Sequence, residues 1–128
     1  MIDGAFEICN KIVSHGKKIY IVSNGILATH EARHEHSPIR QFVSDTFVSE
    51  FVGYKKPDKE YFDYVFAHIP NVAKEKILII GDSLSADIAG GNNAGIDSCW
   101  FNEHSKENCT DAVPTYEINR LCELKKFI

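Results

Sequence analysis

The feature that most constrains the fold is an aliphatic run, residues 77–80, that ends directly in Gly81 and Asp82. A continuous apolar run of this length is typical of a strand that is buried on both faces of a parallel sheet. An aspartate at the end of such a strand does nothing for the stability of the strand itself. Because ligands bind at the carboxyl ends of the strands in open parallel sheets, the run predicts both a fold class and a candidate site.

The rest of the chain alternates short apolar runs with helical patterns, which is typical of an α/β protein. We expect further strands at residues 18–23, 46–49 and 98–101, and an edge strand at 116–118. The fold class expected is a Rossmann-like three-layer parallel sheet with helices on both faces. We expect one domain over residues 1–128, a common single-domain length.

Helical periodicity and cap residues place four helices. The first is capped by Asp3 and stops at Gly16, with one apolar face. The second begins at Pro57, and the third covers residues 85–94. Residues 121–128 form the closing helix. The apolar face of the first helix consists of Phe6, Cys9, Ile12 and Val13.

The composition excludes several classes of protein. A formal net charge of −4 argues against nucleic-acid binding through a broad basic face. No apolar run reaches the roughly 20 residues needed to span a bilayer, and the start has no signal-peptide pattern. The four cysteines are scattered without a C-x-x-C pair, so we expect reduced thiols and a cytoplasmic location, with no nucleic-acid or membrane partner.

The first expected strand ends in Ser23, Asn24 and Gly25. A hydroxyl, free backbone N–H groups and a glycine at a strand-to-helix turn form a good anion cradle. The same residues also favour an ordinary turn with a helix cap. A phosphate site and a plain cap both remain open from the residues alone.

A second candidate is Lys56, which precedes Pro57. The residue before a proline is pushed to an extended conformation, which can direct this lysine out of the loop. A lysine placed there can neutralise the charge of a phosphate or carboxylate. The alternative is a solvated surface lysine.

The third candidate is the pair Asp82 and Asp87. One carboxylate at a strand end and one in the next helical turn suit a hard divalent cation such as Mg²⁺. The alternative is that Asp82 or Ser83 caps the helix that follows.

These elements, in this order, resemble the haloacid dehalogenase-like (HAD) hydrolase superfamily. The family pattern is a Ser or Thr after one core strand, a Lys before a Pro, and G-D-x-x-x-x-D after a later strand. Ser23, Lys56 and the segment from Gly81 to Asp87 match it, at spacings of 33 residues from Ser23 to Lys56 and 26 from Lys56 to Asp82. Longer stretches resemble the pyrimidine 5′-nucleotidase and noncanonical-nucleotide phosphatase branch. They are residues 53–66 (GYKKPDKEYFDYVF), 81–88 (GDSLSADI), 90–97 (GGNNAGID) and 99–102 (CWFN).

The resemblance implies a Mg²⁺-dependent phosphatase acting on a small phosphorylated metabolite, such as a nucleoside 5′-monophosphate. Asp82 would bind Mg²⁺, and Asp87 would support both the metal site and Lys56. Ser23 and the Asn24 N–H would hold phosphate oxygens. Lys56 would stabilise the phosphate and the attacking carboxylate, and the family reaction passes through an aspartyl-phosphate.

One part of the family pattern is missing. The family begins with a strand that ends in D-x-D-x-[TV], whose first aspartate is the nucleophile, and no D-x-D occurs in this sequence. The helical cap that follows that strand is also missing. We therefore expect a partial catalytic core without the first, central strand and without the cap. A catalytically inactive or partner-binding relic is the alternative.

In the family, the missing strand lies between the strand that ends at Ser23 and the strand that ends at Gly81. We expect these two strands either to be separated by a gap one strand wide or to close up and pair directly.

Two other patterns have structural explanations. His30–His34 fits the H-E-x-x-H zinc motif, but its flanks are polar and Pro38 cuts the helix short, so an exposed polar helix is the better interpretation. The glycine-rich segment 90–95 lacks the Rossmann spacing and suits close helix-to-sheet packing. The aromatic residues at 61–66 and 100–101 are expected in the core.

Overall fold

The computed structural model describes residues 4–25 and 37–128. The longer α-helices are α1 (Ala5–Ser14) and α3 (Lys59–Ala67). A shorter helix, α4 (Ala89–Ala94), directly follows a π-helical turn, Leu84–Ile88. A single turn, α2 (Ser49–Val52), follows the second strand. The strands are β1 (Ile19–Ser23), β2 (Val43–Val48), β3 (Leu78–Gly81), β4 (Asp97–Phe101) and β5 (Tyr116–Ile118). Short 3₁₀ segments lie at Arg40–Phe42, Lys74–Lys76 and Leu121–Phe127.

The strand pairs in the described part of the chain are all parallel, which confirms the predicted α/β class. β1 pairs with β2, and β3, β4 and β5 form a second group in that order. Parallel strands place their carboxyl ends at the same edge of a sheet. The residues that follow β1 and β3 are therefore expected at one common edge.

β1 and β3 do not pair with each other, and within residues 4–25 and 37–128 no strand lies between them. Of the two expected arrangements, direct pairing does not occur. Ile80 in β3 is 36% exposed, although an aliphatic residue in a central parallel strand is normally buried. The sheet is thus open at the position where the family pattern places its first strand.

One hydrophobic cluster joins the two strand groups on one face of the sheet. Phe47 from β2 and Ile79 from β3 pack in it together with residues of α3 and α4. Its buried members are Phe47, Val52, Tyr61, Phe62, Val65, Ile79, Ala94 and Ile96. The two groups of strands are therefore held by the helices that cover them rather than by hydrogen bonds between strands.

The opposite face is covered by α1 and the C-terminal 3₁₀ segment. Ile8 of α1 packs there with Cys99, Phe101 and Leu124. Helices on both faces give the predicted three layers. The predicted apolar face of α1 is partly wrong, because Phe6 is 38% and Val13 is 39% exposed. The buried stripe instead runs through Ala5 and Ile8, since the helix rests on the C-terminal segment at its N-terminal end.

Several element bounds also differ from the sequence prediction. β2 begins at Val43, three residues early, because pairing with β1 extends the strand through exposed Asp45. α3 begins at Lys59, not at Pro57, and the peptide between Lys56 and Pro57 is cis. β5 has the predicted bounds, and α4 ends at the predicted Gly95.

Other predictions have mixed outcomes. All four cysteines are free thiols. Trp100, Phe101, Tyr61 and Phe62 are buried in the core as expected. In the part of the chain that the structure describes, no helix is long and apolar enough to cross a membrane. The Asp3 cap and the His30–His34 segment lie outside the described residues.

Candidate active site

Lys56 lies at the centre of the candidate site and is only 9% exposed. Its ammonium group contacts Asp87 Oδ1 at 2.5 Å. The same group donates to the Val22 carbonyl, 3.1 Å away, near the end of β1. One buried side chain therefore bridges the two strand groups at their carboxyl edge. The solvated-lysine interpretation is wrong for Lys56, whereas the neighbouring Lys55 is exposed.

Asp87 is placed by the π-helical turn that follows β3. Its backbone N–H donates to the Ser83 carbonyl at 2.9 Å, and the Ser83 N–H donates to Asp87 Oδ2 at 3.3 Å. The Ser83 hydroxyl caps the turn by accepting from the Ala86 N–H. The helix-cap interpretation thus holds for Ser83. The described contacts give Asp82 no capping role.

Gly81 is required by the close approach of Asp87 to the backbone. A Cβ atom at Gly81 would overlap the Asp87 carboxyl group itself. The backbone of Gly81 has an ordinary φ, so the requirement is space and not conformation. This explains physically why a glycine precedes Asp82.

At the end of β1, two backbone N–H groups that the sequence predicted to be free are hydrogen-bonded within the protein. The Ser23 N–H donates to the Tyr61 hydroxyl at 3.1 Å, and the Gly25 N–H donates to Ser49 Oγ at 2.9 Å. The expectation of several free N–H groups is therefore corrected, because protein groups already accept from two of them. Among the described residues, the Ser23 hydroxyl and the Asn24 N–H have no hydrogen-bond partner.

Asp82 is exposed and lies beside a small recess of about 170 Å³. Trp100, Glu103, His104 and Lys106 also line this recess. The buried Trp100 indole N–H donates to the Asp82 carbonyl at 3.2 Å and so fixes the backbone that carries the carboxylate. Substrate pockets usually measure about 300–1,000 Å³, so this recess alone does not enclose a substrate.

The donor set fits Mg²⁺ through one direct protein ligand. Within the described parts of the chain, no group of three or more His, Cys, Asp or Glu side chains surrounds a common point. Mg²⁺ is commonly held by one or two carboxylates, with waters and substrate phosphate completing its shell. Asp82 offers an exposed carboxylate, while Asp87 is already bound by Lys56 and Ser83.

Three groups that shape this site were not singled out from the sequence as parts of it. They are the Asn24 side chain, which pairs with the Lys56 backbone, the Tyr61 hydroxyl and the Trp100 indole. The sequence marked Tyr61 and Trp100 only as core aromatics. Their polar atoms are a usable signal, since a buried Tyr O–H or Trp N–H normally finds a hydrogen-bond partner.

The parallel three-layer fold and the convergence of these motifs define a HAD-like hydrolase core. Residues 1–101 match the family model described as haloacid dehalogenase-like hydrolase. The chain belongs to this family.

Three proteins from bacteria are similar to this chain over nearly its whole length. The chain is 48% identical over 124 residues to the HAD-hydrolase YfnB of Bacillus subtilis (strain 168), covering 97% of this chain and 52% of that protein. It is 40% identical over 117 residues to the pyrimidine 5′-nucleotidase PynA of Streptococcus pneumoniae (strain ATCC BAA-255 / R6), covering 91% and 49%. It is 35% identical over 127 residues to the pyrimidine 5′-nucleotidase YjjG of Escherichia coli (strain K12), covering 99% and 56%. The chain thus spans about half the length of these relatives.

Solved structures agree with the fold. The magnesium-bound crystal structure of YfnB superposes with a TM-score of 0.92 over 98% of this chain and 55% of that one, at 48% identity. A HAD phosphatase from Thermococcus onnurineus superposes with a TM-score of 0.85 over 99% and 57%, at 21% identity. The second likeness concerns the fold alone.

Proposed function

We propose that this chain is the phosphate-binding part of a Mg²⁺-dependent HAD phosphatase that acts on nucleoside 5′-monophosphates or similar small phosphates. The observation that carries the proposal is the contact of Lys56 with Asp87, made at the point where the ends of β1 and β3 converge. Asp87 and the Val22 carbonyl offset the cost of taking the Lys56 ammonium out of water, and they hold it in one position. An ammonium fixed there can neutralise the charge of a phosphate dianion.

The residues divide the work in the following way. The Ser23 hydroxyl and the Asn24 N–H donate to phosphate oxygens. Lys56 neutralises charge on the phosphate and on the attacking carboxylate, and Asp87 keeps its ammonium directed at that position. Asp82 is the residue that would hold Mg²⁺, which when bound supplies further charge neutralisation.

The attacking carboxylate would come from outside residues 1–128, because the sequence contains no D-x-D motif. It would attack the phosphorus and form an aspartyl-phosphate while the P–O bond to the nucleoside breaks, and the nucleoside would leave as the protonated alcohol. Water would then hydrolyse the aspartyl-phosphate to inorganic phosphate and the free carboxylate. The open position between β1 and β3 supports this, since a strand inserted there would end beside Lys56. The names of PynA and YjjG, both pyrimidine 5′-nucleotidases, support a nucleotide as the substrate.

Substrate choice would depend on residues beyond those described. The recess beside Asp82, at about 170 Å³, is smaller than the roughly 300–1,000 Å³ usual for a pocket that encloses a substrate. In a complete enzyme, the part that covers the site would therefore select the leaving group.

The test is a fusion that joins to this chain the part of YfnB that it does not span. We expect Mg²⁺-dependent hydrolysis of p-nitrophenyl phosphate and of pyrimidine nucleoside monophosphates by the fusion. The 128-residue chain alone should show no turnover above background. Lys56→Ala in the fusion should lower turnover by orders of magnitude, whereas Lys55→Ala should have a mild effect.

Two outcomes would contradict the proposal. Mg²⁺-dependent turnover by the unfused chain would show that one of its own residues acts as the nucleophile. A folded fusion without any phosphatase activity would favour the partner-binding alternative.

A further inference from the structure

The Asn24 side chain forms a pair of hydrogen bonds with the backbone of a single residue, Lys56. Its Nδ2 donates to the Lys56 carbonyl at 3.0 Å, and its Oδ1 accepts from the Lys56 N–H at 2.8 Å. The two residues are 32 positions apart in the sequence. This amide ties the backbone of the loop that carries Lys56 to the end of β1.

The Tyr61 hydroxyl makes a second connection at the same strand end. It donates to the Phe47 carbonyl at 2.6 Å and accepts from the Ser23 N–H at 3.1 Å. Tyr61 is fully buried, and burial above all raises the pKa of its hydroxyl, which therefore keeps the proton that it donates. The hydroxyl connects β1, β2 and α3 within one residue of Asn24.

Packing alone does not require these polar groups. A phenylalanine at position 61 would fill the same volume, and the hydroxyl adds only the link between Ser23 and Phe47. Asn24 is exposed, so its side chain contributes little to the core. What the two groups have in common is that they fix Ser23 and Asn24, the expected phosphate donors, relative to Lys56.

We propose that Asn24 and Tyr61 are positioning residues, which set the distance between the phosphate donors at the end of β1 and the Lys56 ammonium. The side chains of Asn24 and Tyr61 act through Ser23 and Lys56 and do not touch the phosphate themselves. The Asn24 backbone N–H is a separate group, and it donates to the phosphate. The proposal rests on the proposed function, because it assumes that a phosphate binds between these groups. Misplacement of binding groups by about 1 Å can cost 10²-fold in rate, so small shifts are sufficient to matter.

The test uses the 128-residue chain with inorganic phosphate in the presence of MgCl₂. Isothermal titration gives the dissociation constant, and amide chemical shifts locate the ion. The variants are Asn24→Ala and Tyr61→Phe. Asn92→Ala is the matched control, because Asn92 forms the same paired contact with the Val113 backbone, at 2.9 Å in both directions, away from the site.

We expect the unchanged chain to bind phosphate with shifts at the Asn24 and Lys56 amides. Asn24→Ala and Tyr61→Phe should weaken binding about tenfold or more. Asn92→Ala should bind phosphate like the unchanged chain, whatever it does to the stability measured by urea denaturation. This difference separates positioning from a general loss of stability.

The possible failures are distinguishable. If phosphate binds and Lys56→Ala weakens it, but Asn24→Ala and Tyr61→Phe do not, the positioning role is wrong and the proposed function stands. If the unchanged chain does not bind phosphate at all, both proposals are overturned. Tyr61→Phe keeps the buried ring. Asn24→Leu keeps roughly the size of the side chain and adds no charge, so it replaces Asn24→Ala if circular dichroism shows that variant to be unfolded.

Discussion

Two carboxylates at the same edge of the sheet have opposite environments. Asp87 is buried, contacts the Lys56 ammonium at 2.5 Å and accepts from the Ser83 N–H. Asp82, five positions earlier, is exposed; its backbone carbonyl accepts from the Trp100 indole, and its carboxylate has no partner within residues 4–25 and 37–128. Other described residues thus satisfy Asp87, whereas none of them binds the Asp82 carboxylate.

Because of this difference, we expect Asp87 and Asp82 to have different roles. A buried charge must be paired or it destabilises the fold, so Asp87 is needed both for stability and for the position of Lys56. An exposed carboxylate costs little and can exchange water for a cation. Substitutions at the two positions should therefore separate effects on stability from effects on metal binding.

The largest expected effect on stability comes from Lys56→Met, which removes the charge and keeps most of the side chain. Asp87 would remain buried without an opposite charge beside it, and we expect the free energy of unfolding to fall by about 3 kcal/mol. Urea denaturation measures this change. Lys55→Met is the matched control and should change stability by less than about 0.5 kcal/mol.

The double variant Lys56→Met with Asp87→Asn sharpens the same comparison. It removes both charges, so part of the lost stability should return. Equal losses in the single and the double variant would show that burial of an unpaired carboxylate is not the cause.

Gly81→Ala should have the next largest effect. The new methyl group would occupy the position of the Asp87 carboxyl, which has to move away from Lys56. Overpacking of this kind costs about 1–3 kcal/mol. Gly53→Ala is an instructive contrast, because Gly53 has open space around its Cβ position and a φ of 89°, so its cost would come from the backbone. In Gly81→Ala, a Lys56 Nζ resonance unchanged from the parent would contradict the predicted displacement of Asp87.

The buried Cys99 thiol should differ in pKa and reactivity from the exposed thiols of Cys109 and Cys122. Burial, and to a lesser extent the nearby Glu123, raises the pKa of Cys99 to about 11 from 9.0. The folded state then holds this proton more tightly than the unfolded state, so stability present below pH 9 is lost as the pH rises towards 11. Cys99→Ala should flatten this part of the stability profile, as urea midpoints between pH 8 and 11 would show. In the native protein at pH 8, iodoacetamide should modify the exposed Cys109 and Cys122 but not Cys99.

The smallest expected effect on stability belongs to Asp82→Asn. The side chain is exposed, so the free energy of unfolding should change by less than about 0.5 kcal/mol. The affinity for Mg²⁺ should nevertheless fall, and the YfnB fusion that carries this substitution should lose most of its phosphatase activity. Titration calorimetry with MgCl₂ and urea denaturation check the two parts separately. Mg²⁺ binding and turnover near those of the parent at saturating Mg²⁺ would remove Asp82 from the metal site.

Much of the fold followed from local patterns. The aliphatic run before Gly81, the strand at 116–118 and the stop at Gly95 were predicted correctly because each depends on a short stretch of residues. The predictions were wrong where the length of a strand or the burial of a side chain depends on residues distant in the sequence. β2 is longer than its own pattern indicates because β1 pairs with it, and Phe6 is exposed because the segment that covers α1 reaches only its other face.

The sequence by itself determined the parallel α/β class, the family and the order of Ser23, Lys56, Asp82 and Asp87, because periodicity and motif spacing are local and can be read along the chain. Only the tertiary structure decided how these residues meet. The contact of Lys56 with Asp87 and the pairing of Asn24 with the Lys56 backbone join positions 31 and 32 residues apart. The Tyr61 hydroxyl became part of the site in the same way. Such contacts depend on packing across the sheet, which no local pattern encodes.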